Sequence, residues 1–330
     1  MKNNLVAVVT GGTGFVGSHL IDILIEKGFT IRCITRKTSN LRWLEGKPVE
    51  IYDCGLFDTE KLKKVLDGAD YIYHVAGVVK SKKPEGYFTG NVETTKNLLS
   101  VAVETVPNLK RFVVISSQTA TGPSLDGKPV NEETICKPIT TYGKSKVEEE
   151  KLAKKYMDKI PITICRAPAV FGERDTEILI YFKTFNKGIT TRIGFDKKTV
   201  SLIHVLDLVN GIYKSSIEEK AVGQTYFISS EEYYTWEEIG SVTSKVLDKN
   251  PVTIKFPHSL VFIIAAFAQF FSLFGKKAAT LNIEKAKDIT QRNWICDTSK
   301  AVNELGYKQN ISLEEGIKRT CAWYKKMKWI

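Results

Sequence analysis

The segment that most constrains the fold is Thr10-Gly11-Gly12-Thr13-Gly14-Phe15-Val16-Gly17. It follows an apolar run at residues 5–10. It precedes a stretch with Leu20, Ile21, Leu24 and Ile25 at helical spacing, closed by Gly28. A strand that turns directly into a helix leaves little room for side chains at the turn. The chain must reverse sharply, the backbone must approach a ligand closely, and the helix must pack hard on the strand. Backbone N–H groups at the helix start then face an anion, assisted by the helix dipole. A glycine triplet in that position predicts a dinucleotide held at Gly11, Thr13, Gly14, Phe15, Val16 and Gly17.

The pattern downstream agrees with such a turn. Strand-like runs at 31–35, 71–75, 111–116 and 162–166 alternate with helical patterns at 59–66, 92–103 and 144–157. Alternation of this kind implies a parallel sheet covered on both faces. The regularity fades after about residue 170. Helices are expected at 178–186, 206–215 and 236–247, with Thr235 as an N-cap. Strands are expected at 201–205, returning to the main sheet, and at 226–228. The predicted class is α/β: a Rossmann-type doubly wound parallel sheet with a smaller, mostly helical C-terminal substrate lobe. Residues 1–172 form the nucleotide-binding part, segment 199–215 returns to it, and 173–330 supply mainly the lobe.

The end of the second strand selects the cofactor. A free ribose 2′-hydroxyl wants a carboxylate there, and a 2′-phosphate wants a cation. The sequence runs Ile31-Arg32-Cys33-Ile34-Thr35-Arg36-Lys37 and offers no acid. A guanidinium suits phosphate because its planar fork donates two hydrogen bonds. Arg36 and Lys37 therefore favour NADP(H), with NAD(H) as the alternative.

Tyr142 and Lys146 share one helix face at an i, i+4 spacing. An ammonium beside a phenol favours the phenolate and draws its pKa down. Such a tyrosine can exchange a proton with a substrate oxygen. Upstream, Ser116 and Ser117 close the strand at 111–116, on the carboxyl edge where open α/β sheets bind ligands. A serine hydroxyl there can hydrogen-bond the reacting oxygen.

Lys and Arg total 48 against 37 Asp and Glu, a net charge of +11. The excess attracts anions without choosing among them. No basic–aromatic motif points to nucleic acid. The basic, aromatic stretch at 318–328 is expected to be a solvated helix with an apolar face, a membrane contact being the sharper alternative. Six cysteines, at 33, 54, 136, 165, 296 and 321, show neither metal-ligand nor disulfide spacing, and Cys33 and Cys165 are expected in the core. No metal site is expected. The chain opens directly into a strand, so a cytoplasmic protein is expected. Residues 260–274, LVFIIAAFAQFFSLF, are apolar apart from Gln269 and Ser272. That is shorter than the roughly 20 residues a spanning helix needs. A buried or substrate-lining helix is expected, with peripheral membrane contact as the alternative. His19 and His204 are expected in packing roles.

With these motifs assembled, the chain resembles the extended short-chain dehydrogenases/reductases, over nearly its whole length. The matching segments are TGGTGFVG at 10–17, HVAG at 74–77, NVETTKNLL at 91–99, SSQTATGP at 116–123, YGKSK at 142–146 and RAPAVFG at 166–172. The resemblance implies that Tyr142 is the acid/base and that Lys146 lowers its pKa and holds the nicotinamide ribose. It implies Ser117 as the catalytic hydroxyl, Ser116 and Thr119 being alternatives. It implies cofactor contacts at His74, Ala76, Gly77, Asn91, Ala167 and Pro168. A homodimer through the helices at 92–103 and 144–157 is a further implication.

Two departures from the family pattern stand out, the first at a position that touches the adenine in the family and the second at one that bears on substrate. Cys54-Gly55-Leu56 stands where the family often carries an aspartate, and Thr121 replaces a tyrosine frequent in nucleotide-sugar enzymes. The expected activity is alcohol–ketone interconversion on a hydrophobic small molecule, as in the dihydroflavonol-reductase and hydroxysteroid-dehydrogenase branch. The alternative is a nucleotide-sugar epimerase with tightly bound NAD, its diphosphate held by Arg174 and Arg192.

Overall fold

The computed structural model describes residues 5–272, 274, 279 and 281–330. Its strands, in chain order, begin with β1 (Val6–Thr10), β2 (Thr30–Ile34), β3 (Val49–Tyr52), β4 (Tyr71–His74), β5 (Arg111–Ser117) and β6 (Ile162–Ala167). They continue with β7 (Ala169–Phe171), β8 (Ile189–Ile193), β9 (Thr199–His204) and β10 (Thr225–Phe227). The last are β11 (Tyr233–Thr235), β12 (Val252–Phe256) and β13 (Asn293–Trp294).

Seven strands form one sheet in the order β10-β6-β5-β4-β1-β2-β3, with parallel pairings throughout. The central strands are buried along almost their whole length because both faces are covered. On one face Leu20, Ile21 and Leu24 of the helix Phe15–Glu26 pack with Val205, Leu208 and Ile212 of the helix Val205–Ile217. On the other, Leu62, Leu66, Leu98, Leu99 and Ala153 from three helices cover Val8, Ile72, Phe112 and Val114. The chain order reverses at β1, whose neighbours are β2 and β4. A crevice beyond the strand ends at such a reversal is where this architecture binds ligands.

The strand pattern changes in two respects: β3, β7, β8, β11, β12 and β13 appear where no strand was expected, and one expected strand pairs elsewhere. β3, a short edge strand with two exposed residues, escapes the sequence pattern because an edge needs no continuous apolar run. The expected strand at 201–205 does not return to the main sheet. As β9 it pairs with β7, β11 and β13, and β10 occupies the seventh position instead. Ile203 of β9 and the helix after it still pack into the main core.

A separate cluster of Phe171, Phe182, Phe185, Ile239, Ile317 and Tyr324 holds the C-terminal lobe. The helix Leu313–Lys326 contributes its apolar face there, and Trp323 packs edge-on to Trp329 at 4.9 Å. These aromatics are spent internally, as the solvated-helix reading expects. Thr235 caps the helix Trp236–Leu247 with a complete capping box. All six cysteines are free, and Cys33 and Cys165 are buried core residues. Among the described residues no cluster suits a metal ion, and no helix is long and apolar enough to cross a membrane.

Two buried histidines contribute to the loss of stability in acid. Burial, aided by Arg174, lowers His19 from 6.5 to about 4. Burial, aided by Lys146, lowers His74 from 6.5 to about 3. The unfolded chain therefore binds more protons than the native one below the unfolded value. This stabilisation is present above pH 6.5 and is lost as pH falls through the folded values. Each group removes about 1.4 kcal/mol per pH unit in that window. Burial would raise Glu173, but His204 and Arg319 overcome it and hold it at about 2, so further loss begins below 4.5. Urea unfolding near pH 7 and near pH 5 is expected to show a clear fall in midpoint. Equal midpoints would mean that one or both histidines are charged in the native protein.

Candidate active site

The glycine turn has the geometry the sequence requires. Gly11 takes φ +70°, and a Cβ there would lie 2.6 Å from the Ala76 nitrogen. A Cβ on Gly17 would lie 2.3 Å from the Gly11 carbonyl oxygen, so the helix could not sit so close to the turn. Gly12, to which the sequence reading assigned no role, is held against Ile21 and Cys33 in the same way. The helix Phe15–Glu26 has no side-chain cap and no acid in its first turn. Asp58, Thr140, Thr235 and Ser312 cap other helices of the chain. An open, uncapped helix start free of carboxylates fits a diphosphate.

Arg36 and Lys37 lie just past the end of β2 and are exposed. The Arg36 backbone nitrogen bonds Ser39 Oγ at 3.0 Å. Among the described residues neither side chain has an ion pair, and both cations face solvent. Asp58 accepts from the Lys61 nitrogen at 3.1 Å and caps its own helix.

The helix Thr141–Lys154 delivers the phenol and the ammonium. Thr140 Oγ1 caps it by accepting from the Gly143 nitrogen at 3.0 Å. Gly143 matters for a second reason: a Cβ there would meet the Thr119 carbonyl oxygen at 2.3 Å. Its absence lets the helix approach the segment that follows Ser117. The Ser117 hydroxyl lies beside the Tyr142 phenol, whose pKa it helps to lower, and it accepts from Thr119 Oγ1 at 2.9 Å. Ser116 points elsewhere, donating to Glu150 Oε1 at 2.6 Å. Of the alternatives to Ser117, Ser116 is thus committed to the core.

Lys146 is buried, donates to the Ile115 carbonyl at 2.8 Å and is ion-paired with Glu149. Burial pushes the Tyr142 phenol above its ordinary value; Lys146 and Ser117 pull it down, and Glu149 pushes it up. The expected depression by Lys146 is present but is outweighed, chiefly by burial of the phenol and secondarily by Glu149, neither of which the sequence reading included. Burial also raises Glu149, against the pull of Lys146. The signal for Glu149 was its i, i+3 spacing from Lys146 on the same helix face.

His74 and Asn91 act through what they hold. His74 is fully buried between Thr10 Oγ1 and Thr95 Oγ1, each at 2.8 Å. Thr95 Oγ1 in turn donates to Glu149 Oε1 at 3.0 Å. Asn91 sits in a π-helical turn, Thr89–Glu93, a distortion often found at functional sites. Its amide clamps the Val78 backbone through bonds of 2.6 and 3.2 Å and donates to Ser145 Oγ at 2.8 Å. That clamp fixes the loop containing Ala76 and Gly77, and a Cβ on Gly77 would lie 3.8 Å from Lys146 Nζ. Ala167 pairs with Ser117 across β5 and β6, and Pro168 follows it, so both lie at the same sheet edge.

Arg174 and Arg192 are each engaged by a carboxylate of the chain itself. Arg174 donates to Ser18 Oγ at 3.0 Å and to Asp22 Oδ2 at 2.7 Å. Arg192 pairs with Glu237 at 2.5 Å. A recess of about 650 Å³ between residues 194–196, 257–259 and 290–292 contains none of these groups.

A glycine turn at the sheet's switch point, facing a Ser–Tyr–Lys cluster at the strand ends, makes this chain an NAD(P)-dependent enzyme of the extended short-chain dehydrogenase/reductase type. It belongs to the NAD-dependent epimerase/dehydratase family, whose model matches residues 7–246. The chain is 25% identical to the ceramide reductase of Caulobacter vibrioides, covering 98% of this chain and 96% of the relative. It is also 25% identical to a decarboxylating sterol-4-alpha-carboxylate 3-dehydrogenase of Dictyostelium discoideum, covering 96% and 99%. Among solved structures it is similar to UDP-glucuronic acid 4-epimerase from Bacillus cereus in complex with UDP-glucuronic acid and NAD. The TM-score is 0.79 at 23% identity, over 98% of this chain and 100% of the other. At that identity the likeness is one of fold.

Proposed function

We propose that the protein is an NADP(H)-dependent oxidoreductase that interconverts a ketone and an alcohol on a hydrophobic small molecule. The disposition of its arginines carries this reading. Arg36 is uncommitted where a 2′-phosphate would lie, whereas Arg174 and Arg192, the candidates for a sugar-nucleotide diphosphate, are tied to carboxylates. Two full-length relatives are named for a ceramide and a sterol, which supports an apolar substrate.

In this reading the bound cofactor supplies or accepts the hydride at the substrate carbon. The protein handles the proton. Tyr142 donates its hydroxyl proton to the carbonyl oxygen during reduction and recovers one during oxidation. Ser117 hydrogen-bonds the same oxygen and orients it. Lys146 stabilises the phenolate that Tyr142 becomes, while Glu149 and the Ile115 carbonyl hold the ammonium in place. Residues 1–172 form the cofactor domain, rejoined by part of 199–215, and 173–330 mainly shape the substrate site. The functional unit is a homodimer through the helices at 92–103 and 144–157, which sedimentation velocity tests.

Titration with NADPH and NADH, followed by a screen of apolar ketones, tests the proposal. NADPH is expected to bind more tightly. The double substitution Arg36→Ala/Lys37→Ala is expected to weaken NADPH by roughly 10- to 100-fold, the range of one or two charge-assisted hydrogen bonds, and to spare NADH. Release of near-stoichiometric NAD on denaturation, with no exchange against added cofactor, would instead identify an epimerase.

A further inference from the structure

The helix His258–Ser272 is apolar on both sides, and the fold uses only one of them. Val261 and Ala265 pack against Ala286, joined by the partly buried Phe262. The opposite stripe, Ile263, Ile264, Phe267, Phe270, Phe271 and Phe274, faces solvent, with Phe267 at 62%, Phe271 at 66% and Phe274 at 79% exposure. These positions repeat at helical spacing, and Phe270 contacts both Phe271 and Phe274. Leu273 of the apolar run and Gly275 after it lie outside the described residues. The expectation of a buried helix thus holds for one face only. An apolar stripe of this size on a soluble surface marks an interaction site.

Charge selects the partner. From Lys249 to Ile283 the sequence contains four lysines, at 249, 255, 276 and 277, and no carboxylate. An apolar helix face within a purely cationic stretch complements an anionic lipid surface. The fold also ties this helix to the catalytic tyrosine. Gln269 Oε1 accepts from the Ile283 nitrogen at 3.1 Å, and the next residue, Glu284, accepts from the Thr141 nitrogen at 2.9 Å and from its hydroxyl at 2.6 Å. Thr141 directly precedes Tyr142.

We propose that the outer stripe of this helix docks on an anionic bilayer surface and sets the active site beside the lipid from which an apolar substrate is drawn. The substrate clause rests on the reading above; the docking does not.

Flotation with phosphatidylcholine vesicles, with and without phosphatidylglycerol, tests it. The protein is expected to float with the anionic vesicles, less so at high salt. Phe267→Asp/Phe271→Asp is expected to reduce flotation by about tenfold or more. That variant should keep its turnover of a short, water-soluble ketone, since neither residue touches the catalytic cluster. Failure of the native protein to float with either vesicle would overturn the docking. So would concentration-dependent self-association abolished by the same variant, because a second copy would then cover the face. Tyr142→Phe should float normally, so flotation by a protein that turns over no apolar ketone would sink only the substrate reading.

Discussion

Replacing Tyr142 with phenylalanine is expected to lower kcat by roughly 100- to 10,000-fold, the range a positioned general acid supplies. The change removes one oxygen. The ring keeps its place near Tyr87, 6.3 Å between centroids, and Lys146 keeps its bonds to Glu149 and Ile115. Cofactor affinity and unfolding midpoint should therefore stay close to those of the native enzyme. Single-turnover kinetics beside a cofactor titration separate the two effects. Activity within twofold of the native enzyme would exclude Tyr142 as the acid. The raised pKa of the phenol adds a direction. Near neutral pH the hydroxyl carries its proton, so ketone reduction needs no titration. Alcohol oxidation needs the phenolate and should accelerate as pH rises.

Replacing Glu150 with alanine is expected to cost roughly 3–5 kcal/mol of stability, because it strands a buried cation. Arg166 donates to Glu150 through Nε at 2.9 Å and through Nη2 at 2.7 Å, and both side chains are almost fully buried. Ser116 adds a third bond to the same carboxylate. The pair links the catalytic helix to β5 and β6, immediately beside Ser117. Thermal and urea unfolding should both register the loss. A double substitution, Glu150→Leu with Arg166→Met, should recover much of it, since removing both charges leaves none unpaired. A single variant within 1 kcal/mol of the native protein would mean that water or a rearranged partner satisfies Arg166.

Much of the site was legible because it is local. The glycines at 11, 14 and 17, the Tyr142–Lys146 spacing and Ser117 at a strand end all reflect steric or periodic rules acting over a few residues. The nucleotide-binding sheet was legible for the same reason, through its alternating patterns. The glutamate run at 148–150 shows where that limit falls. Glu148 is exposed and pairs with Lys151, Glu149 holds Lys146, and Glu150 holds Arg166. Helical phase orders the three, but only the packing of the helix against β5 and β6 assigns each its partner.

The sequence alone determined the α/β class, the glycine turn and the placement of Tyr142 and Lys146 on one helix face, since each follows from near-neighbour geometry. Tertiary structure decided which charges remain available. Arg174 pairs with Asp22, 152 residues away, and Arg192 with Glu237, 45 residues away, while the Arg36 side chain has no ion pair among the described residues. It also decided that β9 leaves the main sheet, and that the helix His258–Ser272 buries one apolar face and exposes the other. Such outcomes depend on which surfaces meet across the folded chain, and no local pattern encodes that meeting.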